Sequence, residues 1–144
     1  MKTLFDTSVL VQALVRTLGH HSRAKLWLDR AIGGEFEWVV ASHTLAELYA
    51  VLTALPVSPR MVPGEAQRLI RVNVQDSAQI IALSARDYAE VIDDVSQRGL
   101  IGGVVYDALI CRAAQNARVK RLLTFNVDHF RRVWGKGAEM IQAP

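Results

Sequence analysis

An α/β fold is predicted: a three-layer α/β/α sandwich around a four- or five-stranded, mostly parallel sheet. Short apolar runs alternate with longer amphipathic runs along the whole chain, and capping or breaking residues sit at the junctions. Strands separated by helices cannot be joined by tight hairpins, so parallel pairing through right-handed crossovers follows. Size agrees, because 144 residues at 51% hydrophobic and 22% charged suffice for one packed domain and not for two full-sized ones.

Lys2 to Phe5 is the first strand, short and apolar. Asp6-Thr7-Ser8 supplies capping side chains for a helix to about Arg16, and a second helix runs from His21 to Ile32 before Gly33-Gly34 ends it. Phe36 to Ala41 is the next strand, and Ser42 caps a helix to about Leu55, where Pro56, Pro59 and Pro63 interrupt regular structure. A helix over Gly64 to Val74, a strand over Ala78 to Leu83 and a Ser84-capped helix to Gln97 follow. Beyond the loop marked by Gly99, Gly102 and Gly103, the pattern gives a helix from Val105 to Ala117 and a strand from Arg121 to Phe125. A short helix from Val127 to Trp134 and a last strand at Ala138 to Gln142 complete it.

The single Cys111 excludes an internal disulfide and any CxxC site, which suits a reducing, cytoplasmic setting. No stretch approaches the roughly 18 to 20 apolar residues of a membrane span, and the acid at position 6 rules out the apolar run of a signal peptide. Charge is unevenly placed. Between Arg112 and Lys136 lie seven basic residues and one acid, a net of +6 within a chain of net +3, so the remainder carries −3. That asymmetry points to a surface facing a polyanion, with Arg112, Arg131 and Arg132 as candidates for contacting it.

In an open parallel sheet ligands bind beyond the carboxyl ends of the strands, so polar residues there carry the chemistry. Asp6 directly follows the first strand and is either a helix cap or a site residue. Asp107 shares its helix face with Gly103, Val104, Ile110, Cys111 and Ala114, which turns a carboxylate toward the protein. Such a group needs a salt-bridge partner or a bound cation. Glu47 repeats the pattern among Val40, Ala50, Val51 and Ala54, although a solvated glutamate is the commoner fate. Finally, Thr124-Phe125-Asn126-Val127-Asp128 ends a strand, where Asn126 and Asp128 either cap the next helix or join the site.

No glycine-rich phosphate loop, G-x-S-x-G elbow or H-E-x-x-H helix is present, which excludes the nucleotide-triphosphate, dinucleotide and common hydrolase motifs. What remains is an oxygen-only set of acids suited to Mg²⁺ or Mn²⁺, the ions that activate water and neutralise phosphate in phosphodiester hydrolysis.

Four segments in order, Leu4-Phe5-Asp6-Thr7-Ser8, Leu45-Ala46-Glu47-Leu48, Tyr106-Asp107-Ala108-Leu109 and Leu122-Leu123-Thr124-Phe125-Asn126, resemble the PIN-domain ribonucleases, and in wording the VapC-type toxins of bacterial toxin-antitoxin pairs. The resemblance spans nearly the whole chain and implies a single PIN-like nuclease domain over residues 1–144. It further implies a metal-dependent endoribonuclease, the toxin of a type II pair, dimeric and inhibited by a small antitoxin. Asp6, Glu47 and Asp107 match the family's three core acids and metal ligands, and Ser8 and Thr124 match nearby hydroxyl positions. Asn126 stands where many members have a fourth acid, a departure that leaves Asn126 or Asp128 to complete the catalytic set. The alternative is a non-catalytic PIN-like module that binds RNA or sequesters antitoxin.

Overall fold

The computed structural model describes all 144 residues. Five strands, β1 (Thr3–Phe5), β2 (Trp38–Ala41), β3 (Gln79–Ile81), β4 (Arg121–Leu123) and β5 (Ile141–Gln142), form one sheet in the order β3-β2-β1-β4-β5. Every neighbouring pair is parallel. Seven α-helices cover the two faces: α1 (Thr7–Leu14), α2 (His21–Ile32), α3 (Ser42–Ala54), α4 (Pro63–Ile70), α5 (Ala85–Gln97), α6 (Val104–Asn116) and α7 (Val127–Trp134). The predicted three-layer α/β/α sandwich is thus the observed fold, with five strands.

Alternation along the central strands builds two cores. Phe5, Val40 and Leu123 point to one face, where they pack with α1 to α4, while Leu4, Val39 and Leu122 point to the other with α5 to α7. Strands buried on both faces read as unbroken apolar runs, which is why Leu4-Phe5 and Val39-Val40 are so uniform. No helix is long and apolar enough to cross a membrane.

Several boundaries differ from the sequence expectation for local reasons. The helix expected over Gly64 to Val74 starts one residue earlier, with Pro63 in its first turn, and widens into a π-helical turn at Arg71–Gln75. The final strand keeps only Ile141–Gln142, because Gly135–Met140 winds into a 3₁₀ helix under Trp134. Ser42 is the first helical residue and Ala41 takes the cap position without a side-chain bond, so Ser42 does not cap α3. Ser84 does cap α5, in a reciprocal box in which its hydroxyl accepts from the Asp87 amide at 3.1 Å and Asp87 accepts from the Ser84 amide at 2.9 Å.

The strand order fixes where a site can form. From β1 the chain moves outward to β2 and β3, then returns to β4 on the other side of β1. The carboxyl ends of β1 and β4 therefore flank the point where crossovers leave toward opposite faces, the crevice that open parallel sheets offer to ligands.

Candidate active site

Asp6 follows β1 in the position that caps α1, yet its side chain makes no cap bond. It turns instead across the sheet edge, where Asp6 Oδ2 accepts from Ser8 Oγ at 2.8 Å and from Thr124 Oγ1 at 2.9 Å. Both hydroxyls are themselves fixed: Ser8 Oγ accepts from the Phe125 amide at 3.0 Å, and Thr124 Oγ1 accepts from the Asn126 amide at 2.9 Å. A segment just after β4 thus orients a carboxylate just after β1, 118 residues away in sequence. Asp6 is only 4% exposed, so this network defines its direction tightly.

A groove of about 450 Å³ opens over this carboxylate and is lined by Ser8 and Gln12 of α1, Glu47 of α3, Asp107 of α6, and Phe125 and Asn126 after β4. Asp6, Glu47 and Asp107 thus share one cavity, as the sequence predicted. They line it without closing into a ready-made cluster of three metal ligands. Their charges act on one another. Burial pushes the Asp6 carboxyl above the ordinary range against the pull of its two hydroxyl bonds, and Glu47 adds to the rise. Burial also raises Asp107, to about 6, with the negative charges of Asp6 and Glu47 behind it and His129 opposing them. No salt bridge in the chain includes Asp6 or Asp107, while Glu47 sits 3.7 Å from His43. Oxygen donors with mutual repulsion and no protein cation between them fit a hard divalent ion, which is what the donor set was expected to hold.

The other expected residues divide. Asn126 lines the groove and is exposed, so its amide faces the cavity's solvent and makes no side-chain cap bond to α7. Asp128 is exposed on the first turn of α7 and is not among the residues lining the groove. Arg112 is committed elsewhere: its guanidinium pairs with Glu90 and lies 3.7 Å from Asp87, beside a separate cavity of about 510 Å³ on the α5 to α7 face. That cavity is as large as the groove but contains none of the three acids. Arg131 reaches back to the Ile141 carbonyl at 3.4 Å. Arg132 lines a second cavity, together with Asp107 and His129.

Three histidines near the site are not among the candidates the sequence offers. His43 stacks on Tyr106 with ring centres 5.3 Å apart and planes 4° apart, joining α3 to α6 across the groove's rim. Its i,i+4 relation to Glu47 was the available signal. His20 stacks on Phe125 at 4.8 Å, and Arg23 lies over the same ring. His129 follows Asp128 directly, and its nearness to Asp107 is a tertiary fact. Cys111 is buried beneath these acids, and burial pushes its thiol pKa far up, so it is an inert core residue.

Comparison with known proteins agrees with this geometry. The PIN domain family matches residues 3–136. A curated relative, Ribonuclease VapC27 of Mycobacterium tuberculosis, is 36% identical over 115 residues, covering 80% of this chain and 78% of the relative. Among solved structures, Mycobacterium tuberculosis VapC20, described as a Sarcin-Ricin loop cleaving toxin, superposes with a TM-score of 0.69 at 14% identity, covering 88% of this chain and 92% of that one. Rickettsia felis VapBC2, solved bound to a DNA fragment from its promoter, gives 0.67 at 21% identity, with 100% and 99% covered. With its five-stranded parallel sheet, its acids gathered at the carboxyl edge and a match over nearly its full length, the chain belongs to the PIN domain family.

Proposed function

We propose that this protein is a metal-dependent endoribonuclease that hydrolyses RNA phosphodiester bonds, and that it is the toxin of a type II toxin-antitoxin pair. One observation carries the reading: Asp6, Glu47 and Asp107 come from three separate elements into one groove, in a chain 36% identical to a curated ribonuclease. Asp6, Glu47 and Asp107 would hold Mg²⁺ or Mn²⁺, and such an ion supplies, when bound, charge neutralisation at the attacked phosphate and an activated water.

The chain's own residues prepare that chemistry. Ser8 and Thr124 donate to the same oxygen of Asp6, which leaves its other oxygen for a ligand and holds the carboxylate still. Asn126 presents a neutral amide to the groove, able to orient water or a phosphate oxygen through either its carbonyl or its NH₂. Asp128, exposed on the first turn of α7 and outside the groove, leaves the fourth position to Asn126. The uneven positive charge of residues 112–136 attracts the polyanion, while the buried Cys111 suits a reducing cytoplasm.

The partner reading rests on the neighbours: a toxin-antitoxin complex from Klebsiella pneumoniae and Rickettsia felis VapBC2 share the fold. A cognate antitoxin that covers the groove, and a homodimeric toxin, follow from that likeness. The test is digestion of total cellular RNA by the partner-free protein in Mg²⁺, Mn²⁺ or EDTA, beside Asp6→Asn. Discrete fragments that vanish with EDTA and in the variant are expected. RNA that binds and stays intact in every metal would replace this reading with a non-catalytic module.

A further inference from the structure

We propose that the cavity on the far side of Asp107, lined by His129 and Arg132 of α7 and by the start of α6, is a subsite for a second RNA backbone phosphate, one flanking the cleaved bond. The inference rests on the ribonuclease reading and specifies how the strand crosses that site.

The cavity, of about 560 Å³, is lined by Gly103, Val104, Asp107, His129 and Arg132 with the Gly99-Leu100-Ile101 loop. Asp107 also lines the carboxylate groove, so the two spaces meet at that residue. A strand whose cleaved phosphate lies over the acids therefore passes directly into this cavity. A backbone phosphate next to Asp107 would be repelled unless donors outweighed the carboxylate, and the cavity supplies them. His129 and Arg132, three residues apart, share one face of α7. His129 and Asp107 line this cavity together, so imidazole and carboxylate border the same space.

Availability separates Arg132 from its neighbours. Arg112 is held by Glu90 and Asp87, Arg131 donates to Ile141, and Arg98 donates to the Arg132 and Val133 carbonyls. Arg132 has an acceptor for neither an ion pair nor a side-chain hydrogen bond within the chain, yet it borders a cavity. The backbone contributes as well. None of the amides of Ile101, Gly102, Gly103 and Val104 donates within the backbone network, and Gly103 and Val104 open the thirteen-residue α6 at the cavity wall. A guanidinium, an imidazole and unpaired amides around one space recognise a phosphate in particular.

The experiment measures the affinity of the full-length protein for a labelled single-stranded oligoribonucleotide in EDTA, where cleavage is off. Arg132→Gln is expected to weaken binding about tenfold and His129→Gln about threefold, as loss of hydrogen bonds to a charged group does. The salt slope of Arg132→Gln should fall by about 0.7, one phosphate contact on a single strand. Arg132→Lys should recover most of the loss, and Lys2→Gln, of equal charge change just before the amino end of β1 and outside the basic segment, should stay within about twofold of the parent. A single neutral methylphosphonate walked along the oligonucleotide should weaken the parent at one linkage beside the cleaved bond and leave Arg132→Gln unaffected there. Equal affinity of Arg132→Gln and the parent, or equal penalties at every linkage, would overturn the subsite while RNA cleavage stood. A parent that neither binds nor cuts RNA in Mg²⁺ would overturn both readings.

Discussion

Replacing Asp107 by asparagine should make the metal-free protein more stable while abolishing its chemistry. Asp107 is half-buried, and its carboxyl is raised from the ordinary 3.8 to about 6, first by burial and then by the charges of Asp6 and Glu47. Below 3.8 the group is neutral in both folded and unfolded chains and carries no penalty. Between 3.8 and about 6 the folded chain binds the proton more tightly, so stability falls as pH rises through that window. Above about 6 the penalty is complete. At about 1.4 kcal/mol per pH unit the displacement corresponds to about 3 kcal/mol, and screening by the water that reaches this side chain reduces it to about 1–2 kcal/mol. Asparagine is nearly isosteric and cannot ionise, so at pH 7.5 in EDTA the variant's Tm should rise by about 3–6 °C, with no difference at pH 3.5. Saturating Mg²⁺ should reverse the order, because only the parent gains binding energy, about 2.7 kcal/mol at a hundredfold excess over Kd. Thermal melts at the two pH values, with and without metal, decide it. A variant that melts lower than the parent in EDTA at pH 7.5, or a stabilisation of equal size at pH 3.5, would refute the electrostatic account.

Three further substitutions separate the site from its scaffold. Thr124→Val keeps the shape but removes a hydroxyl that serves both Asp6 and the Asn126 amide, so it should cost about 1–3 kcal/mol in denaturant melts and about 10- to 100-fold in cleavage, with Thr124→Ser restoring both. Ser84→Ala breaks the capping box of α5, far from the groove, and should lower Tm by about 2–4 °C with cleavage unchanged. Gly137→Ala places a methyl group on the Trp134 ring, and equilibrium unfolding should show a loss of about 1–3 kcal/mol.

The parallel α/β architecture was legible because each strand of the centre is an apolar run ended by a short polar residue that marks the start of a helix, as at Leu4-Phe5-Asp6 and Val39-Val40-Ala41-Ser42, although neither Asp6 nor Ser42 makes a cap bond. Local signals failed where tertiary packing decides. The turn at Arg71–Gln75 widens with Val74 fully buried, and Gly137 under Trp134 diverts the expected last strand into a 3₁₀ helix. Asp107 and Glu47 could be singled out because a carboxylate on an apolar helix face is costly, and Asp6 because it directly follows the first strand, conditions visible in one dimension. What holds and surrounds them could not. Thr124 meets Asp6 only after β4 pairs with β1, and His43 meets Tyr106 only once α3 and α6 face each other across the groove. Asp128 shows the converse: two residues from Asn126 in sequence, it lies outside the groove because helix α7 has already begun to turn it away.

In the proposed enzyme, Asp6, Glu47 and Asp107 together form a divalent-metal centre. Calorimetric titration of Mn²⁺ into the partner-free protein at pH 7.5, beside Asp6→Asn, tests it most directly. Saturable binding by the parent is expected, with at least tenfold weaker binding by the variant, whose circular dichroism should match the parent's. Equal affinity in the two proteins would place the ion elsewhere and contradict the assignment.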